Sequence, residues 1–138
     1  MKHFYIKRKK VDAFNLQEVL VTLVIIGILI LLAFPSLSPM VSKTKSLEAQ
    51  MQLKYLYNTQ TMYRYMHSKY SFDFSELDFE APKTINENGT SNYKYEIVNA
   101  SNNSFKAIAT AISDFDGDGI FNVWQIDENG IPKQITKD

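Results

Sequence analysis

Hydrophobic positions are spread unevenly along the chain, and their spacing changes from one segment to the next. From Val19 to Phe34 the run VLVTLVIIGILILLAF carries no charge, and Thr22 and Gly27 are its only non-apolar interruptions. Extended back to Phe14, the run predicts a helix of about 21 residues, roughly 31 Å at 1.5 Å per residue, which matches the hydrocarbon core of a bilayer. After Pro39 the pattern becomes amphipathic. Val41 to about His67 lacks glycine and proline, and Leu47, Met51, Tyr55, Met62 and Met66 recur at near-helical spacing. Lys43, Lys45, Glu48, Lys54 and Arg64 are left for another face. This predicts a second helical stretch whose apolar stripe packs against a sheet as the core of a small head.

From about Ser68 to Asn92 the periodicity lapses into a connecting loop with a short helical turn. Period-two alternation then returns at Tyr93–Val98 and Phe105–Ile112, on either side of the turn-rich Asn99–Asn103. Phe121–Ile126 and Ile131–Ile135 flank Asp127-Glu128-Asn129-Gly130 in the same way, so two hairpins are expected. The predicted fold class is α+β. A long N-terminal membrane-spanning helix would continue into a head in which three or four antiparallel strands lie on its C-terminal half.

Charge changes the picture more by its placement than by its total. The 138 residues hold 15 bases and 15 acids, but Met1–Ala13 alone carries Lys2, Lys7, Arg8, Lys9 and Lys10 against Asp12. That cluster would hold the N-terminal side of the apolar helix in the cytoplasm and leave the rest outside. What remains is acidic, with no basic stripe on the head, so nucleic-acid binding is not expected. There is no cysteine, which excludes disulfides, thiolate metal sites and cysteine nucleophiles. With only His3 and His67, a multi-histidine metal site within one chain is excluded too.

A cleaved secretory signal fits poorly, because the apolar core is too long and is followed by Pro35, Ser36 and Pro39 rather than a small-residue cleavage site. A plain membrane anchor leaves Glu18 unexplained. A carboxylate at the centre of a membrane helix costs about 2.5–3.5 kcal/mol, less near the interface, and asks for a partner.

The segment Ala13-Phe14-Asn15-Leu16-Gln17-Glu18-Val19-Leu20-Val21-Thr22-Leu23 resembles the processing and assembly motif of type IV pilins and type II secretion pseudopilins. The resemblance is detailed over residues 7–36. It implies a basic leader at 1–13, a transmembrane and fibre-core helix at 14–40, and a pilin-like head at 41–138. It also implies cleavage between Ala13 and Phe14 by a prepilin peptidase, N-methylation of Phe14, and an assembly role for Glu18. Gly27 and Pro35 would be points of helix flexibility. The sequence departs from the family in having Ala13 where glycine is usual, and Asn15 and Gln17 where threonine and isoleucine are usual.

The physical logic of such a motif can be stated apart from the family. Cutting before Phe14 creates an ammonium group, and an ammonium and the Glu18 carboxylate each cost much alone in a low dielectric but attract strongly as a pair. The pair would set register as a subunit enters a fibre, with residues 19–34 lining its core. Head-to-tail contacts of that kind give open filaments.

The second chemical signal is Asp114-Phe115-Asp116-Gly117-Asp118-Gly119-Ile120-Phe121-Asn122, within an acidic loop at 114–127. Carboxylates at positions 1, 3 and 5 and glycine at 6 match the start of a calcium loop, with a possible carbonyl ligand at Ile120. Position 12 is Gln125 rather than glutamate, so Asn122 or Asp127 would have to complete the shell. The alternative is an acidic hairpin turn without metal. A bound Ca2+ would be structural, and similar loops close the heads of several pilins and major pseudopilins.

No histidine neighbours a candidate nucleophile and no phosphate-cradling glycine motif is present, so an enzyme is not expected. The aromatic residues between Tyr55 and Phe79 are explained by packing and inter-subunit contacts, and the N-x-S/T matches at Asn88, Asn99 and Asn102 add little. The expected function is a structural subunit of a type IV pilus-like filament. Its partners would be other copies of itself, the prepilin peptidase, the assembly machinery and inner-membrane lipid before assembly. A major pseudopilin of a type II secretion system is the close alternative, and a non-polymerising membrane-anchored binding protein is the alternative from another class.

Overall fold

The computed structural model describes residues 15–34 and 38–137, which fall in two compact units, 1–36 and 37–138. The leader, Ala13, Phe14 and Pro35 lie outside the described residues.

The first unit contains one helix, α1 (Leu16–Ala33), with no buried residue. It is long and apolar enough to cross a membrane.

The second unit opens with α2 (Ser38–His67), thirty residues long and so about 45 Å at 1.5 Å per residue. It starts earlier than the pattern after Pro39 predicts, because a proline in the first helical turn loses no hydrogen bond that the helix would have made. Two 3-10 turns follow, Phe74–Leu77 and Ile85–Glu87. The chain then forms β1 (Tyr93–Ala100), β2 (Phe105–Ala111), β3 (Val123–Asp127) and β4 (Lys133–Thr136). They pair antiparallel in sequence order as one sheet. The α+β class and the two predicted hairpins are both present. Alternation made the first hairpin legible: Tyr93, Tyr95 and Ile97 on β1 and Phe105, Ala107, Ala109 and Ala111 on β2 are buried between sheet and helix.

The apolar stripe predicted to be core is instead exposed. Leu47, Met51, Tyr55, Met62 and Met66 all face outward, Met51 being 72% exposed. The buried face of α2 consists of Ser42, Ser46, Ala49, Leu53, Leu56, Gln60 and Tyr63. That face combines the small Ser42, Ser46 and Ala49 with Leu53, Leu56 and Tyr63, and β2 adds Ala107, Ala109 and Ala111 to the same core.

Polar side chains at this interface replace backbone partners. Gln60 is fully buried and pairs with Ser71 as a strand would: its Nε2 donates to Ser71 O (2.6 Å) and its Oε1 accepts from Ser71 N–H (3.0 Å). Glu48 accepts from Ser91 Oγ, from Asn92 N–H (3.1 Å) and from Asn92 Nδ2 (2.9 Å), so one carboxylate ties the entry of β1 to α2. Hydrogen bonds to a charged group are worth about 1.5–3 kcal/mol. Glu48→Ala is therefore expected to destabilise the head by about 2 kcal/mol, read as a lower urea midpoint at unchanged slope.

Candidate functional site

Two features of the chain could carry chemistry or assembly, one in each unit. The first is Glu18, in the first turn of α1. Its Oε2 accepts from Asn15 N–H (3.1 Å), so the carboxylate covers a backbone donor that the helix start would otherwise leave unpaired. An acid at a helix N-terminus is also favoured by the helix dipole. Thr22 hides its own hydroxyl by donating to Glu18 O (2.8 Å), leaving Glu18 the one charged side chain in α1. Gly27 sits mid-helix, and a Cβ built there would meet nothing within 4 Å, so no packing inside the unit demands glycine.

The second feature is the loop between β2 and β3, in which Asp114, Asp116 and Asp118 offer oxygens all within 4.8 Å of one another. The turn is wound around them. Asp114 accepts from Asp116 N–H (3.1 Å) and Gly117 N–H (2.6 Å) with Oδ1 and from Gly119 N–H with Oδ2. Asp116 Oδ1 accepts from Asp118 N–H (3.1 Å), and Asp118 Oδ1 from Ile120 N–H (2.7 Å). Gly117 and Gly119 take φ of +89° and +86°, which is what the tight winding needs glycine for.

The N–H groups of Gly119 and Gly117 hold the Asp114 carboxyl below its ordinary pKa of 3.8. A depressed carboxyl adds stability above its unfolded value and loses it as pH falls through the folded one. The loop should therefore keep its order on acidification past pH 3.8 and lose it only lower, which the Gly117 and Gly119 amide resonances would report.

The remaining predicted ligands divide. Asn122 is fully buried, its Nδ2 donates to Ser46 Oγ (3.1 Å), and its Oδ1 is buried without a hydrogen-bond partner. Asp127 is not in the cluster. It ends β3, where Oδ1 accepts from Asn129 N–H (2.9 Å) and Oδ2 lies 3.9 Å from Lys133 Nζ. Carboxylate oxygens suit a hard cation, and Asp114, Asp116 and Asp118 are the three gathered among the described residues, whereas Asn122 packs against Ser46 and Asp127 belongs to the β3–β4 turn.

The sequence reading missed what fastens this loop to the head. Phe115 points inward, edge-on to Tyr93 (5.8 Å between centroids) and under Lys45 Nζ (4.3 Å). Tyr93 OH and Ser46 Oγ lie 3.5 Å apart, which closes a chain from the loop through the sheet to α2. A large apolar residue between two acids was the available signal. No family model matches the chain, and no curated protein matches it in sequence.

Proposed function

We propose that the chain is a structural subunit of a type IV pilus-like filament. In this reading it sits in the inner membrane with its N-terminus inside and its head outside, is cut before Phe14, and polymerises through α1. The observation that carries the proposal is Glu18, the single acid of a fully exposed apolar helix, four residues after Phe14 and thus the fifth residue of the proposed mature chain. Its present partner, Asn15 N–H, is a neutral donor. A neighbour's new ammonium group would pair with it far more strongly in a water-free core. The open stripe on α2 supports the same reading, since a row of exposed methionine, leucine and tyrosine side chains asks for a partner surface.

The acidic loop would hold a structural Ca2+ through Asp114, Asp116 and Asp118 and brace a head that has no disulfide. Because calcium-type loops also close the heads of major pseudopilins, a type II secretion pseudopilus is the second reading. Surface fibres visible by microscopy separate the two.

The decisive experiment is mass spectrometry of sheared fibres. The expected result is a mature chain beginning with N-methylated Phe14. A chain still beginning at Met1, or absent from every fibre fraction, overturns the proposal.

A further inference from the structure

At the C-terminal end of α2 the head carries a cleft of about 560 Å³, within the range of small-molecule sites. Its walls come from the last turns of α2, the β1–β2 turn and the β3–β4 turn, and none of its lining residues belongs to the Asp114–Asp118 cluster or to α1. We propose that this cleft is a binding site for a neutral saccharide.

One of its walls is aromatic and fixed. Tyr57 and Tyr70 both rest on the buried ring of Phe105, at centroid distances of 6.2 and 4.9 Å, but Tyr70 is itself buried in the core beneath the Arg64 guanidinium, so Tyr57 is the fixed ring that borders the cleft. Tyr57 is further held by Gly130, whose φ is +72° and where any Cβ would come within 2.6 Å of the Tyr57 ring. Beside them Tyr65 is 86% exposed, presenting a large apolar ring to solvent at the mouth of the cleft. A pyranose offers one face of C–H groups, and a rigid aromatic ring covers such a face at little cost in conformational entropy.

The polar groups around these rings are unusually free. Ser101 fixes the β1–β2 turn by itself, its Oγ accepting from Ser104 N–H (3.0 Å) and donating to Ser104 O (3.0 Å). Asn102 and Asn103 are therefore not needed to hold the turn, and among the described residues their carboxamides make no hydrogen bond within the chain. Arg64 lies over the Tyr70 ring (5.1 Å to the centroid) and donates through Nη1 to Tyr70 OH (3.2 Å), which leaves its other N–H groups open, and among the described residues it forms no ion pair with Glu128. Two carboxamides, a guanidinium and a carboxylate thus stand around Tyr57 and Tyr65.

This set selects among ligand classes. An anion such as phosphate would gain from Arg64 but face Glu128, whereas a ring of hydroxyls can donate to Glu128 and accept from Arg64 and the asparagines together. An apolar ligand would leave all four polar groups desolvated and unpaired.

The test is titration of the full-length 15N-labelled chain in amine-oxide micelles, which contain no sugar. The probes are glucose, galactose, mannose, N-acetylglucosamine and their β-linked disaccharides, with inorganic phosphate as the anion arm. At least one sugar should shift the amides of Arg64, Tyr65, Asn102, Asn103 and Glu128 in a saturable way, with a dissociation constant on the order of 1–10 mM for a single ring. Tyr65→Ala should weaken that binding about ten-fold and Tyr65→Trp should restore it, while the amides of Leu53 and Ile126 stay in place in both variants. The proposal is overturned if no sugar moves these amides up to about 50 mM. Stronger shifts with phosphate than with any sugar, or unchanged affinity in Tyr65→Ala, overturn it as well.

Discussion

A Glu18→Gln chain should enter the membrane as well as the parent and yield almost no filament. Glutamine keeps a side-chain oxygen that can accept from Asn15 N–H, so the helix start made by that 3.1 Å bond survives. Removing a charge from an apolar helix, if anything, eases insertion. The loss falls on assembly alone. A neighbour's ammonium group would enter a water-free core with a neutral amide as its only partner, and an uncompensated buried charge costs about 3–5 kcal/mol. Each added subunit would then bind at least ~100-fold more weakly, because 1.4 kcal/mol is about a factor of ten. Comparing the chain in membrane and sheared-fibre fractions measures this directly. Normal fibre yield from the variant would remove Glu18 from the assembly mechanism.

Calcium is expected to produce the largest change in the stability of the head. A ligand that binds only the folded state at 100 times its dissociation constant adds about 2.7 kcal/mol. For a domain of this size each kcal/mol moves the melting temperature by about 4–8 °C, so a rise of roughly 10–20 °C is expected between chelator and saturating calcium. Asp114→Asn should lose most of that rise, because Asp114 is both a proposed ligand and the acceptor around which the turn is wound. Identical melting curves with chelator and with calcium would leave the loop as an acidic turn only.

The parts of this fold that were legible in the sequence are those in which one periodicity has one physical cause. In Tyr93–Ile97 and Phe105–Ala111 every second side chain is buried, and the alternation is plain. In α1 no side chain is buried, and from Val19 onward nothing interrupts the apolar run but Thr22 and Gly27. On α2 two faces compete. The eye goes to Met51, Met62 and Met66, yet the sheet covers Ser46, Ala49 and Gln60, because burial there is decided by close approach and by Gln60 pairing with Ser71. Hydropathy cannot rank a serine above a methionine, whereas the bonds of Ser46 to Tyr93 and Asn122 account for a serine on the buried face.

The candidate sites divide in the same way. The spacing of Asp114, Asp116 and Asp118 is local, so the sequence displays it. The contact of Phe115 with Tyr93 and Lys45, and the convergence of Tyr65 with the two hairpin turns, join residues far apart in the chain and become visible only once the sheet is laid on the helix.

The open face of α2 also fixes how this protein meets an oxidant. With no cysteine, the chain's only sulfur is in methionine, and Met40, Met51, Met62 and Met66 all stand exposed on α2. Sulfoxide formation would turn flexible apolar thioethers into polar groups along that one face. Among the described residues the buried core contains no methionine, so a peroxide-treated head should keep its fold while its sticky surface becomes a wet one.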